Sequence, residues 1–255
     1  MTRSGQAKVV VKLGGSVVTD KKVPFSFNNT AVKELGAEIA SSGIQSVIVH
    51  GGGSFGHTVA KKYGLSSRKS SPSAEGVSET RAAMFDLNSR ICSELSASGL
   101  HPYSFSPFSL LDGSGGGAAF IDRLLWSGAT PVTFGDVIHD GHGFRILSGD
   151  TICVELSEMI GASRCVMALD VDGILDEKGE VIKVLEDGFE AALPPATVDA
   201  TGGIAFKISE SMRMAASGTE VRLVSGRRPG EFLKALKGGP FQGTTVKVPR
   251  GVSTG

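Results

Sequence analysis

The chain has 255 residues, and its 26 lysines and arginines are matched by 26 aspartates and glutamates, so it carries no formal net charge. That balance excludes recognition of nucleic acid or an anionic membrane through bulk electrostatics, and 40% hydrophobic with 20% charged residues excludes wholesale disorder. The length fits one large α/β domain or two small ones, and no stretch approaches the roughly 20 apolar residues of a membrane helix.

Val9-Val-Val-Lys-Leu13 predicts a buried strand ended by Gly14-Gly15. A helix is expected from Asn29, read as its N-cap, with Val32, Leu35 and Ile39 at helical spacing. The next strand is Ser46-Val-Ile-Val49, followed by the turn His50-Gly-Gly-Gly53 and a helix over 54–63. Residues 65–73 are polar and predict a loop. A long helix is expected over 77–97, with Met84, Leu87, Ile91 and Leu95 on one face. A short strand over 103–105, a turn at 113–117, a helix to Trp126 and a strand over 131–134 come next. Residues 137–147 predict a hairpin turning near Asp140-Gly141.

The second half repeats the rhythm. It predicts a helix over 150–160, a buried strand over 164–169, a loop at Asp170-Val-Asp-Gly173 and a segment punctuated by glycine and proline to Thr201. A helix over 206–216, a strand over 221–224, a short helix over 229–236 and a last strand over 243–248 complete the chain. Such alternation implies a mostly parallel sheet with helices on both faces, and ligands in the crevice beyond the carboxyl ends of its strands. No internal repeat or linker splits the chain, so one domain over 1–255 is expected. The first residues run straight into a strand pattern, so no signal peptide is expected. Cys92, Cys153 and Cys165 are an odd number without metal-ligand spacing. They predict a reduced, cytoplasmic setting with the thiols as small core residues.

Glycine, at 35 residues, is about twice as frequent as average. Four turns concentrate it beside polar groups. Lys12-Leu-Gly-Gly-Ser16 follows a strand, with Lys21 nine residues after Lys12; backbone N–H groups there suit a phosphate that an ammonium neutralises. The plain alternative is a turn with a solvated lysine. His50-Gly-Gly-Gly-Ser-Phe-Gly-His57 leaves N–H groups at a helix start for an anion. It is neither a Walker A loop nor a dinucleotide fingerprint. In Ser148-Gly-Asp150 the aspartate is either a helix N-cap or a functional carboxylate. In Asp199-Ala-Thr-Gly-Gly-Ile-Ala-Phe-Lys207 a lysine follows a Gly-Gly turn at a helix start. No nucleophile motif and no zinc spacing is present. Lysines, glycine N–H groups and one aspartate suit phosphoryl transfer, where catalysis is positioning and charge neutralisation.

Taken in order, Lys12-Leu-Gly-Gly-Ser16, Gly51-Gly-Gly53, Ser148-Gly-Asp150, Asp170-Val-Asp-Gly-Ile174 and Thr201-Gly-Gly-Ile-Ala-Phe-Lys207 resemble the amino acid kinase superfamily from about residue 8 to 248. Within it, Lys12-Leu-Gly-Gly-Ser-Val-Val-Thr-Asp-Lys21 and Gly51-Gly-Gly-Ser-Phe-Gly-His57 look most like the isopentenyl phosphate kinases; relatives that phosphorylate carboxylates generally lack that histidine. The resemblance implies an open, mainly parallel αβα sandwich, usually a homodimer. Its acceptor-binding lobe would span about 1–147 and its nucleotide-binding lobe about 148–255. It also implies ATP with Mg²⁺ as donor and isopentenyl phosphate as acceptor, giving isopentenyl diphosphate and ADP for isoprenoid precursors.

By the same resemblance Lys12 would touch the transferring phosphates, with Gly14, Gly15 and Ser16 along their path. Lys21 and His57 would serve the acceptor phosphate, Gly52 and Gly53 would give backbone contacts, and Gly149 would lie close to substrate. Asp150 would hold Lys12 and Lys207, Asp170, Asp172 and Gly173 would flank the nucleotide, and Gly203 and Lys207 would reach its phosphates. No side chain is assigned as a metal ligand. Phe206 departs from relatives that carry a second basic residue there. Ala83, Met84 and Leu87 would offer an apolar slot or pack in the core. Open alternatives are another phosphorus acid such as fosfomycin, a carboxylate as in acetylglutamate kinase, or a non-catalytic nucleotide sensor.

Overall fold

The valine-rich run at the start of the chain forms β1 (Val9–Leu13), and all five of its residues are buried. Burial on both faces marks a central parallel strand. The computed structural model describes residues 8–65, 72–111, 115–186 and 203–247. After β1 come α1 (Gly15–Val18), α2 (Asn29–Ser42), β2 (Ser46–His50), α3 (Gly53–Lys62) and α4 (Ala74–Ala97). Then follow β3 (Pro102–Ser104), α5 (Phe108–Leu111), α6 (Gly117–Trp126), β4 (Thr130–Phe134) and a hairpin of β5 (Asp136–His139) and β6 (Phe144–Leu147). The second half runs α7 (Gly149–Ile160), β7 (Arg164–Leu169), β8 (Val184–Leu185), α8 (Gly203–Ala216), β9 (Glu220–Ser225), α9 (Glu231–Lys237) and β10 (Gly243–Val246).

Among the described residues the main sheet has eight strands in the order β3-β4-β2-β1-β7-β9-β10-β8, and the β5–β6 hairpin stands apart. Its pairings are parallel except β10 against β9. β1 therefore lies between β2 and β7, at the point where successive crossovers turn to opposite sides, and a crevice opens at the carboxyl ends of such strands. Alternation along β1 divides the core. Val9, Val11 and Leu13 join α2, α3, α4 and α9 in one cluster, while Val10 joins α6, α7 and α8 in another. Lys12 shares the parity of Val10 and so emerges on the α7 side. The expected α/β sheet, covered on both faces, is the observed one.

Several predicted ends shift for local reasons. Asn28, not Asn29, caps α2, because Asn28 Oδ1 accepts from the Ala31 N–H at 3.2 Å. The long helix starts at Ala74 rather than at residue 77, since Ser73 Oγ accepts from the Gly76 N–H at 3.0 Å. α8 opens at Gly203, three residues before the expected start. α1, α5 and β8 were not expected, being too short to show a period. Parts of the predicted loop at 65–73, the turn at 113–117, the segment leading to Thr201 and the end of the last strand fall on 66–71, 112–114, 187–202 and 248, outside the described residues. Cys153 and Cys165 are core residues as expected, Cys92 is half-buried, and all three are free. No helix among the described residues is long and apolar enough to cross a membrane.

Candidate active site

β1 and β2 run in parallel register with Leu13 opposite His50, so their carboxyl ends are neighbours. Each runs directly into a glycine turn, and the two turns meet backbone to backbone. A Cβ on Gly15 would lie 2.6 Å from Gly53 N, and one on Gly51 would lie 3.0 Å from Gly15 N. Gly53 has φ +47°, and a side chain there would run into Thr19. Thr19 links the turns, donating from Oγ1 to Gly15 O at 2.6 Å and accepting from the Ser54 N–H at 2.9 Å. Because only backbone could yield, Gly15→Ala should destabilise the fold by about 1–3 kcal/mol. Calorimetric melting checks it, and an unchanged Tm would show that the turns separate freely.

Lys12 stands directly below these turns. Opposite it, the N-terminus of α7 is capped by Ser148, whose Oγ accepts from the Thr151 N–H at 3.1 Å. Asp150 is therefore not the N-cap that one reading of Ser148-Gly-Asp150 made it. It is the second residue of α7, and its carboxylate turns to two lysines. Lys12 Nζ is 2.5 Å from Asp150 Oδ2, and Lys207 Nζ, from α8, is 2.9 Å from Asp150 Oδ1. Lys12 is only 4% exposed, and so buried an ammonium persists only beside a counter-charge. Burial pushes the Lys12 pKa down, but Asp150 outweighs it and leaves the pKa raised. For Lys207, burial and then the neighbouring Lys12 charge prevail, and its pKa is lowered. Burial would raise the pKa of Asp150, yet Lys12 and Lys207 hold it well below the usual carboxylate range. The trio leaves one net positive charge, a setting for phosphate.

These groups floor a cavity of about 590 Å³. From the first half of the chain, Lys12, Gly14, Gly15, Ser16, Lys21, Gly52 and His57 line it. From the second half, Gly149, Asp150, Asp170, Gly173, Gly203 and Lys207 do so. Two expected residues are not on its surface. Gly53 stands behind Gly15, and Asp172 is turned to Arg228, whose Nε lies 2.6 Å from its Oδ1. Lys21 and His57 are exposed side chains at the cavity. His50, although it opens a glycine turn, is wholly buried and bonded to Asn88 Oδ1 at 3.3 Å. Burial lowers its pKa to about 4, so it stays neutral.

Sequence reasoning did not single out Ala60 and Thr80, the residues Asp136, Val137 and Ile146 of the hairpin, or Leu175 and Ile204, all of which line the cavity. Of the apolar trio on α4, Met84 faces the cavity while Ala83 and Leu87 belong to the core. Helical spacing of Thr80 and Met84 was a usable signal. The hairpin offered none, because its position over the cleft is set by tertiary packing.

Residues 7–225 match the model of the amino acid kinase family, and the chain belongs to that family. Within the family it is similar to isopentenyl phosphate kinases. It is 35% identical to that of Haloferax volcanii, over 89% of this chain and 98% of the relative. It is 33% identical to that of Thermoplasma acidophilum, over 94% and 100%. A solved isopentenyl phosphate kinase structure superposes with a TM-score of 0.78 at 27% identity, covering 94% of this chain and all of the other. The resemblance drawn from the ordered glycine turns is upheld.

Proposed function

We propose that the chain transfers the γ-phosphoryl group of ATP to isopentenyl phosphate, giving isopentenyl diphosphate and ADP. The observation that carries this reading is the Lys12–Asp150–Lys207 trio beneath two abutting glycine turns, in one cavity with Lys21 and His57. An oxygen of the acceptor phosphate forms a bond to the γ-phosphorus as the bond to the bridging oxygen of ADP breaks. The second pKa of a phosphate monoester lies near 6, so at neutral pH the attacking oxygen is already ionised and needs no base. What the protein supplies is the approach of two polyanions. Lys12 and Lys207 neutralise the transferring group, the turn N–H groups orient it, and Lys21 and His57 hold the acceptor phosphate.

In this reading residues 1–147 serve the acceptor and 148–255 the nucleotide. Mg²⁺ would enter with ATP. Asp150 is committed to both lysines, no group of three or more His, Cys, Asp or Glu among the described residues is arranged to hold a metal, and exposed Asp170 and Asp176 are the further carboxylates on the cavity wall. Phosphate oxygens suit this hard cation, which when bound neutralises charge on the β- and γ-phosphates. Homodimer formation is part of the proposal. Exposed Tyr103, Phe108 and Trp126, on the β3 edge and on α5 and α6 beside it, support it. The free thiols are in keeping with a cytoplasmic setting.

The test is an ATP-coupled assay across isopentenyl phosphate, dimethylallyl phosphate, fosfomycin and acetylglutamate. Preference for isopentenyl phosphate is expected, and preference for acetylglutamate would overturn the proposal. His57→Ala should cost the hydrogen bond to a charged phosphate, about 1.5–3 kcal/mol. That is roughly a tenfold to hundredfold loss in kcat/KM for the acceptor, with ATP affinity by calorimetry nearly intact. His57→Gln, which keeps a donor, should lose less. Full activity in His57→Ala would remove the histidine from the site.

A further inference from the structure

We propose that Phe25 is a positioning residue for the acceptor phosphate, which keeps Lys21 beside His57 by docking a short loop on α3. The inference rests on the reading of this cavity as an acceptor site. Among the described residues Phe25 is the one non-glycine residue with a positive φ, +55°. That conformation is unfavourable for a bulky side chain, and glycine would adopt it freely. A phenylalanine kept there points to a task that glycine cannot perform. Its ring meets Phe55 edge to face, with centroids 5.5 Å apart and planes at 84°. Phe55 lies in the first turn of α3 and is wholly buried, whereas Phe25 is half exposed, so the contact seats the loop on the helix rather than filling the core.

Residues 20–26 close on themselves. The Val23 N–H donates to Asp20 O at 3.1 Å and the Ser26 N–H to Val23 O at 3.2 Å. Ser26 Oγ accepts from the Asp20 N–H at 2.8 Å, which ties the two ends together. It also lies 3.1 Å from Ser54 Oγ, and the Phe25 N–H reaches Ser54 O at 3.4 Å. Ser54 and His57 are neighbours on α3, one turn apart. The loop and the histidine are therefore carried by the same stretch of helix. Lys21 follows Asp20 in the loop and lines the cavity, and it has no ion pair or side-chain hydrogen bond among the described residues. Its aim comes from the backbone that carries it, and that backbone is set by Phe25 and Ser26.

Calorimetric titration of isopentenyl phosphate and of ATP into the full chain tests this. Phe25→Gly accepts the positive φ but lacks the ring. It should weaken isopentenyl phosphate about tenfold and leave ATP affinity unchanged. Phe25→Tyr, which keeps the ring, should bind like the parent. A double-mutant cycle with Lys21→Met separates positioning from packing. Because Phe25 acts through Lys21, Phe25→Gly should weaken the ester hardly further once the ammonium is gone. Additive losses in proteins that melt like the parent, or an unmoved affinity in Phe25→Gly, overturn the inference and leave the proposed reaction standing. Ser26→Ala opens the other tie between loop and helix and carries the same test if Phe25→Gly does not fold. A parent that binds the ester without phosphorylating it overturns the reaction alone, and the cycle still decides Phe25. A parent that does not bind the ester overturns the acceptor site and this inference with it.

Discussion

Lys207→Ala should leave a folded protein whose kcat is lower by about 10²- to 10³-fold, with the acceptor KM changed only a few-fold. Charge on the transferring phosphoryl group is most widely spread in the transition state, so a lysine aimed at it is worth most there. Lys207 is also the lysine of the trio whose pKa is lowered, by burial and by the charge of Lys12, while that of Lys12 is raised. In the free enzyme Lys207 therefore loses its proton first as pH rises. The alkaline limb of kcat/KM for ATP should lie below the ordinary lysine range and belong to this residue. Lys207→Arg keeps a charge that does not titrate, so it should recover part of the rate and lose that limb. An unchanged kcat in Lys207→Ala would leave the residue a structural ion-pair partner of Asp150 only.

Asp150→Asn should be as damaging to catalysis and harmful to stability as well. Removing one partner from a buried ionic cluster costs about 3–5 kcal/mol, and the change leaves two lysines facing each other without a counter-charge. Lys207 then gives up its proton still more readily, and kcat at neutral pH should fall by about 10²- to 10³-fold. The carboxyl of Asp150 is held well below its usual range in the folded state. Its contribution to stability is thus complete above the unfolded value, about 3.9, and is lost as pH falls from there through the depressed folded value. Denaturant unfolding of parent and variant across pH checks this. The gap between them should be constant from pH 5 to 8 and narrow only in acid. A gap that closes already at pH 6 would show that another group carries the difference. Single-turnover rates equal to the parent's would leave Asp150 as a structural residue.

Lys12, Asp150 and Lys207 were legible in the sequence because each stands beside a strand end or a glycine turn, where local pattern marks a crevice. Their meeting follows from two periodicities. Parity along β1 sends Lys12 toward α7, and Ser148 takes the cap so that Asp150 is released from it. Thr80, Asp136 and Ile146 were not legible, because α4 and the β5–β6 hairpin reach the cleft through packing that no short window records. Asp172 shows the converse. It lies in the expected loop, but Arg228, in the segment that follows β9 at the same carboxyl end of the sheet, draws its side chain away from the cavity. Gly53 is needed, but for its lack of a side chain behind Gly15 rather than for a place on the cavity surface.

The position of β1 between β2 and β7 also orders events during synthesis. Lys12 leaves the ribosome early, but the strand and the helix that enclose it, β7 and α7, are made only in the second half of the chain. Until then one flank of the central strand carries an ammonium with no counter-charge, and enclosing it alone would cost several kcal/mol. A nascent chain that ends before Ser148 therefore keeps its sheet open on that side and stays accessible to proteases and chaperones. Delivery of Asp150 removes the barrier, so the flank can close once β7 follows, and the phosphate-binding floor is completed when α8 brings Lys207.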